Sequence, residues 1–126
     1  MTIQLNHTIV HARDKHASAT FLASILGLPV GEEFGPFVPV KLANGVTLDY
    51  MTAPDPQAQH YAFLVGNEDF DAAFARVEHQ GLEYYAEPGG SHPGQINHRR
   101  GGRGFYFDDP DGHAMEIFTL PSEGEG

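Results

Sequence analysis

The chain has 126 residues, 40% of them hydrophobic, which suits a single domain with one sizeable core. Lys plus Arg is 7 and Asp plus Glu is 17, a formal charge of -10 that disfavours nucleic acid and anionic membrane surfaces as partners. Cysteine is absent, which excludes disulfides, Cys-ligated zinc, iron–sulfur clusters and a thiol nucleophile. No apolar run approaches the roughly 20 residues that span a bilayer. Met1-Thr2-Ile3-Gln4 lacks the basic-then-apolar pattern of a signal peptide, so a cytoplasmic protein is expected.

Residues 5–10 read as a strand. Residues 14–26 read as a helix, with Ala17, Phe21, Leu22 and Ile25 at core-facing spacing and Gly27 as the stop. Short strands are expected at 31–34 and 37–42. A two-residue hairpin turn at Asn44-Gly45 leads to a return strand at 46–52. Pro54 and Pro56 mark 53–59 as a linker.

The order then restarts. Residues 60–65 read as a strand and 67–80 as a helix. Asn67 is its expected N-cap, Glu68 and Asp69 lie in its first turn, and Gly81 is its stop. Phe70, Phe74 and Val77 mark its buried side. A short strand at 82–86 precedes a polar loop, 88–102, whose five glycines and two prolines argue against regular structure. Residues 104–108 read as a strand, Asp109-Pro110-Asp111-Gly112 as a turn and 113–119 as the last strand. The tail, 121–126, is expected to fray.

The predicted order is therefore βαβββ twice, within one domain spanning 1–126, as an internal repeat over 4–52 and 59–119. His7 and His60 lie 53 residues apart, as do Phe21 and Phe74 on the two helices. Asp49 and Glu116 take matching places in the last strand of each half. A duplicated unit is the economical explanation.

Alternation along the strands assigns faces. His60, Ala62 and Leu64 share one face, as do Ala114, Glu116 and Phe118. Asp49 shares its face with Thr47 and Met51, opposite Val46, Leu48 and Tyr50. If each helix buries one sheet face, the other is free to line a cavity. His7, His60, Asp49 and Glu116 are then the candidates to meet there. Two imidazoles with one or two carboxylates suit a divalent metal that keeps open positions.

These residues bring out a resemblance. Leu5-Asn6-His7, the stretch from Phe21 to Gly27-Leu28, and Gln59-His60-Tyr61-Ala62-Phe63 carry part of it. The most specific part runs from Gly104 through the Asp109-Pro110-Asp111-Gly112 turn to Glu116. Over nearly its whole length the chain resembles the vicinal oxygen chelate superfamily. That group includes glyoxalase I, extradiol dioxygenases, and fosfomycin- and bleomycin-resistance proteins.

The resemblance implies an α+β fold in which two βαβββ repeats form a cupped mixed sheet with helices on its outer face. It implies His7, His60 and Glu116 as ligands of one divalent metal per site, Fe, Mn, Zn or Ni. It also implies a homodimer. Asp49 falls where glyoxalase I has a fourth ligand, a Glu. The shorter aspartate leaves direct ligation, action through water and service as a general base all open. His113 belongs to the turn motif and is expected to be structural. The metal would act as a Lewis acid on two neighbouring oxygens of a small substrate.

Three of the five arginines, Arg99, Arg100 and Arg103, sit in or beside the long loop, with His92 and His98. They are candidates to meet an anionic or oxygen-rich substrate, against a solvated loop as the plainer reading. Tyr106 is a candidate wall of the site. His11, His16 and His79 are expected at the surface. The leading functional expectation is a metal-dependent enzyme: a ring-cleaving dioxygenase, a glyoxalase-type lyase or isomerase, or a thiol transferase acting on an epoxide. The alternative is a non-catalytic bleomycin-resistance type that sequesters a drug or natural product in a dimer cleft. A third is a duplicated relic without activity.

Overall fold

The computed structural model describes residues 2–121. The expected fraying of the tail falls outside these residues beyond Pro121. The chain divides into two compact units, one ending at Gln57 and the other beginning at Ala58.

The first unit contains β1 (His7–Ala12), α1 (Lys15–Leu26), β2 (Phe37–Lys41) and β3 (Thr47–Thr52). Its sheet has the order β1-β3-β2, with β1 parallel and β2 antiparallel to the central β3. Val10, Ala12, Val38, Val40, Leu48 and Tyr50 are buried on one face. α1 supplies Leu22, Ala23 and Ile25 to the same core. The helix starts where Asp14 accepts hydrogen bonds from the His16 and Ala17 amides, both at 3.1 Å. It stops at Gly27, whose left-handed backbone (φ 72°) returns its N–H to the Ala23 carbonyl.

The second unit repeats the plan with β4 (His60–Leu64), α2 (Asn67–His79), β5 (Gly104–Asp108) and β6 (Ala114–Phe118). The order is β4-β6-β5, again parallel then antiparallel about the central strand. Phe63, Phe105, Phe107, Met115 and Ile117 form its buried face. Phe70 of α2 meets Phe105 edge-on at 5.4 Å. Phe74 stays half-buried, packed edge-on to Tyr84 and Phe105 at 5.0 and 5.3 Å.

Several local expectations are corrected. Each unit has two full strands after its helix rather than three. Segment 31–34 is reduced to a Gly31 N–H bond to the Pro39 carbonyl and one Phe34–Phe37 bridge. Pro39 has no N–H to return, which prevents a regular ladder. Segment 82–86 is likewise reduced to pairings of Tyr85 with Tyr106 and Pro93. The first strand lies at 7–12, not 5–10.

The Asn44-Gly45 turn is a three-residue loop. Leu42 accepts from Gly45 and donates to Val46, and Gly45 alone takes positive φ (90°). The buried stripe of α1 includes Ser18 and Ala19, while Ala17 is exposed and Phe21 half-buried. Small residues let the helix approach the sheet closely, and the bulk of Phe21 misleads a reading by hydrophobicity alone. The N-cap of α2 is Gly66, with no side-chain cap, not Asn67.

Asp14 is the one side chain that caps α1 at its start. Asp14→Ala is therefore expected to lower stability by about 1 kcal/mol, measured as a shifted urea midpoint with unchanged slope.

Candidate metal centre and binding cavity

In the second unit, the face opposite the core carries His60, Ala62, Glu116 and Phe118. The parallel register sets Glu116 opposite Ala62, one alternation along from His60. The His60 Nε2 then lies 3.0 Å from Glu116 Oε1. The imidazole is half-exposed, whereas the carboxylate is mostly covered. On the other side of β6, Tyr106 is the register partner of Glu116. Its ring centroid is 5.7 Å from that of His60. Burial raises the Tyr106 phenol above its ordinary pKa, and the Glu116 charge adds to the rise. The hydroxyl therefore stays protonated and able to donate at neutral pH.

The entry to β4 is held by the turn after β5. His113 is fully buried, and its Nδ1 accepts from the Gln59 N–H at 2.9 Å. The Gln59 carbonyl accepts from Ala114 at 2.8 Å. Asp109 Oδ1 accepts from the amides of Asp111 and His113 at 2.9 and 2.8 Å. Gly112 closes the turn with φ 80°. His113 is thus structural: it fixes the backbone immediately before His60.

In the first unit, the face away from α1 carries His7, Ile9, Phe37, Pro39, Lys41, Thr47 and Asp49. These residues, with Asn6, Pro29, Val30, Gly31 and Phe34, line a cavity of about 570 Å³. His7 is exposed, and its Nδ1 donates to Asn6 Oδ1 at 2.8 Å, leaving Nε2 as the lone-pair nitrogen. Asp49 is only 5% exposed, and its Oδ1 has no hydrogen-bond partner among the described residues.

The loop cations are placed less simply than the sequence suggests. Arg99 donates to the Tyr106 hydroxyl at 3.1 Å and pairs with Glu87. Arg103 donates to Asp71 at 2.7 Å and to Asn67 Oδ1 at 3.1 Å, and lies 4.3 Å over the Phe70 ring. It serves α2 rather than the His60–Glu116 pair. Arg100 is exposed, with φ 54°. The loop itself is pinned: Asn97 and Gly104 exchange backbone bonds at 2.8 and 3.0 Å. A Cβ at Gly102 would come 2.0 Å from the Thr119 carbonyl, so only glycine fits there.

Among the described residues no group of three or more His, Asp or Glu side chains forms a metal cluster. The donors occur as the His60–Glu116 pair, with His7 and Asp49 on the other unit. Their chemistry fits a divalent metal. One imidazole already faces a carboxylate, and the other is oriented through its second nitrogen, the usual support of a ligating histidine.

The model of the Glyoxalase/Bleomycin resistance protein/Dioxygenase superfamily matches residues 4–117. The chain belongs to this superfamily. Its fold is the α+β two-module fold of that group. The chain is 56% identical to the solved structure named Oxidase ChaP-H2, over 100% of both chains, with a TM-score of 0.94. Oxidase ChaP-H1 is 53% identical over 95% of this chain and 98% of its own, with a TM-score of 0.92. Glutathione transferase FosA of Serratia marcescens is 29% identical over 93% of this chain and 81% of its own length. No helix among the described residues is long and apolar enough to cross a membrane.

Three contributors were not picked out from sequence: Asn6 behind His7, Gln59 as the residue His113 holds, and Glu87 as the partner of Arg99. Asn6 and Gln59 each carried a local signal, an amide side chain directly before a candidate ligand, whereas Glu87 carried none.

Burial holds the Asp109 carboxyl above the usual carboxylate range, against the pull of its two backbone donors. A raised folded pKa means stability that is full below the unfolded value and is lost as pH rises through the folded one. Asp109→Asn keeps the accepting oxygen and removes that loss. Its stability relative to the parent is expected to rise with pH across the acidic range, read from urea unfolding at successive pH values.

Proposed function

We propose that this protein is a divalent-metal-dependent oxidase acting on a small oxygenated substrate. The observation that carries the reading is the 3.0 Å His60–Glu116 pair, in a chain 56% identical, end to end, to a structure named as an oxidase. His60 and Glu116, with His7 from the same chain or a second copy, would hold one ion of Fe, Mn, Zn or Ni. When bound, the ion supplies Lewis acidity toward neighbouring substrate oxygens. Such N/O donor sets suit all of these metals.

The chain's own groups have separate tasks in this reading. Glu116 holds its carboxylate against His60. Tyr106, kept protonated, donates a hydrogen bond beside that pair, and Arg99 fixes the direction of its hydroxyl. Asp49 is the carboxylate left to take a proton from bound substrate. Arg100 remains a candidate rim contact. Arg103, engaged by Asp71, Asn67 and Phe70, is left out of the substrate set. The same engagement of Arg99 and Arg103 weighs against thiol transfer to a phosphonate, which needs free cations. The working form in this proposal is a cytoplasmic homodimer.

The sequestering alternative has one observation in its favour, the apolar cavity of the first unit. Elemental analysis of tag-free protein separates the two. About one divalent ion per chain is expected, with His60→Ala losing it and losing oxygen consumption with candidate substrates. Protein that stays empty after incubation with Fe(II), Mn(II), Ni(II) and Zn(II) would instead favour sequestration.

A further inference from the structure

The two candidate histidines are supported differently. Each stands first in its strand, with Thr47 as the register partner of His7 and Ala114 as that of His60. In both units the carbonyl before the histidine accepts from that partner, Asn6 from Thr47 at 3.0 Å and Gln59 from Ala114 at 2.8 Å. Beyond this shared bond the units diverge. His7 is aimed by its Nδ1, which donates to the Asn6 side chain at 2.8 Å. The His60 ring makes its one hydrogen bond among the described residues through Nε2, to Glu116. Its second nitrogen does not aim it, so its direction depends on the backbone that carries it.

That backbone is in a weak place. β4 is an edge strand of its three-stranded sheet, and residues 57–60 leading into it are exposed. Strand ends of this kind open readily. His113 works against opening, because its side chain reaches both chain neighbours of His60. Its Nδ1 accepts from the Gln59 N–H at 2.9 Å, and its ring meets the Tyr61 ring edge-on at 5.5 Å and 90°. A ring nitrogen that accepts from a backbone N–H carries the lone pair, so the His113 proton sits on Nε2. The grip is itself anchored. His113 is fully buried, its N–H donates to Asp109 Oδ1 at 2.8 Å, and its carbonyl accepts from the Asp109 N–H at 3.0 Å. Val46, at the corresponding place before Thr47, has no side-chain acceptor, so the first unit cannot make this bond.

We infer that His113 is the positioning residue of His60: by holding Gln59 and Tyr61 it keeps the imidazole facing Glu116, and so raises the affinity of that pair for a divalent ion. The metal part rests on the reading of His60 and Glu116 as ligands. The positioning of the ring does not. A residue that served stability alone would, when replaced, lower the unfolding temperature and leave the His60 ring in place in protein that stays folded.

The test uses the full-length protein in two measurements. In metal-free protein, proton NMR reads the nuclear Overhauser contact between the His60 and Tyr106 rings, whose centroids are 5.7 Å apart. The contact between the Phe70 and Phe105 rings, at 5.4 Å, reports the core of the same unit. His113→Leu is expected to lose the first contact and keep the second. His113→Asn, whose Oδ1 branches from Cγ as Nδ1 does, is expected to keep both. Zn(II) affinity, measured by competition with a chromophoric chelator, is expected to fall at least about tenfold in His113→Leu and to match the parent in His113→Asn. His113→Gln carries its amide one bond further out. It replaces the leucine variant if that one does not fold, and is expected to show the same losses. A His60–Tyr106 contact absent from the parent, or one that survives in the folded leucine or glutamine variant, would overturn the inference. So would unchanged Zn(II) affinity in that variant, or an asparagine variant that behaves like it. Parent protein that binds no Zn(II) would remove the metal reading, and the ring contact alone would then decide whether His113 positions His60.

Discussion

A three-stranded sheet that buries one face under a single helix must leave its other face uncovered by its own unit. Both units of this protein obey that constraint, with the same strand order and the same parallel–antiparallel pairing. Because side chains alternate along β3 and β6, burying Leu48 and Tyr50 sends Asp49 to the opposite side. Burying Met115 and Ile117 does the same for Glu116. The polar groups at the centre of each sheet are a consequence of where the core lies. Their neighbours then decide what they can do. Glu116 faces a histidine one strand away and a tyrosine on the other side, whereas Asp49 faces isoleucine and proline.

The two units therefore set the same strand plan in different surroundings. In the second unit the central carboxylate has a partner within reach, His60 at 3.0 Å. In the first unit one oxygen of the central carboxylate, Asp49 Oδ1, has no hydrogen-bond partner among the described residues, and apolar side chains line the space beside it. The turn Asp109-Pro110-Asp111-Gly112 also serves the second unit alone. Its buried His113 and Asp109 lock the backbone that precedes His60, which is why the motif is so prominent in the sequence without supplying a ligand.

The sequence was most legible where one physical rule acts alone. Strand alternation placed Asp49 and Glu116, and Asp14 and Gly27 bounded α1, with Asp14 acting as its cap. His7 and His60, picked out by their spacing, each open the first strand of their unit. It was least legible where two rules compete. Asn44-Gly45 signals a two-residue turn, yet only Gly45 adopts the positive φ, and the loop takes three residues. Segment 31–34 has strand-like character, but Pro39 beside it cannot donate. The arginines of the long loop read as free cations because their partners, Glu87, Asp71 and Asn67, are distant in sequence or uninformative by type. No local pattern announces a contact of Arg103 with the face of Phe70.

The Gly35-Pro36 turn ties the cavity wall to the start of α1. Phe34 and Phe37 exchange backbone bonds across it at 3.0 and 2.9 Å. Lys15 holds its far end, donating to the Pro36 carbonyl at 3.0 Å and pairing with Glu33 at 2.9 Å. His16 reaches the same Glu33 at 3.3 Å. The two phenylalanines are therefore mounted on a bracket fastened outside the cavity they shape. Changes at Lys15, His16 or Glu33 would re-aim the aromatic wall without altering a single residue that lines it. The aim of the aromatic wall is therefore set in part by charge pairs at a helix start, away from the sheet and its polar centre.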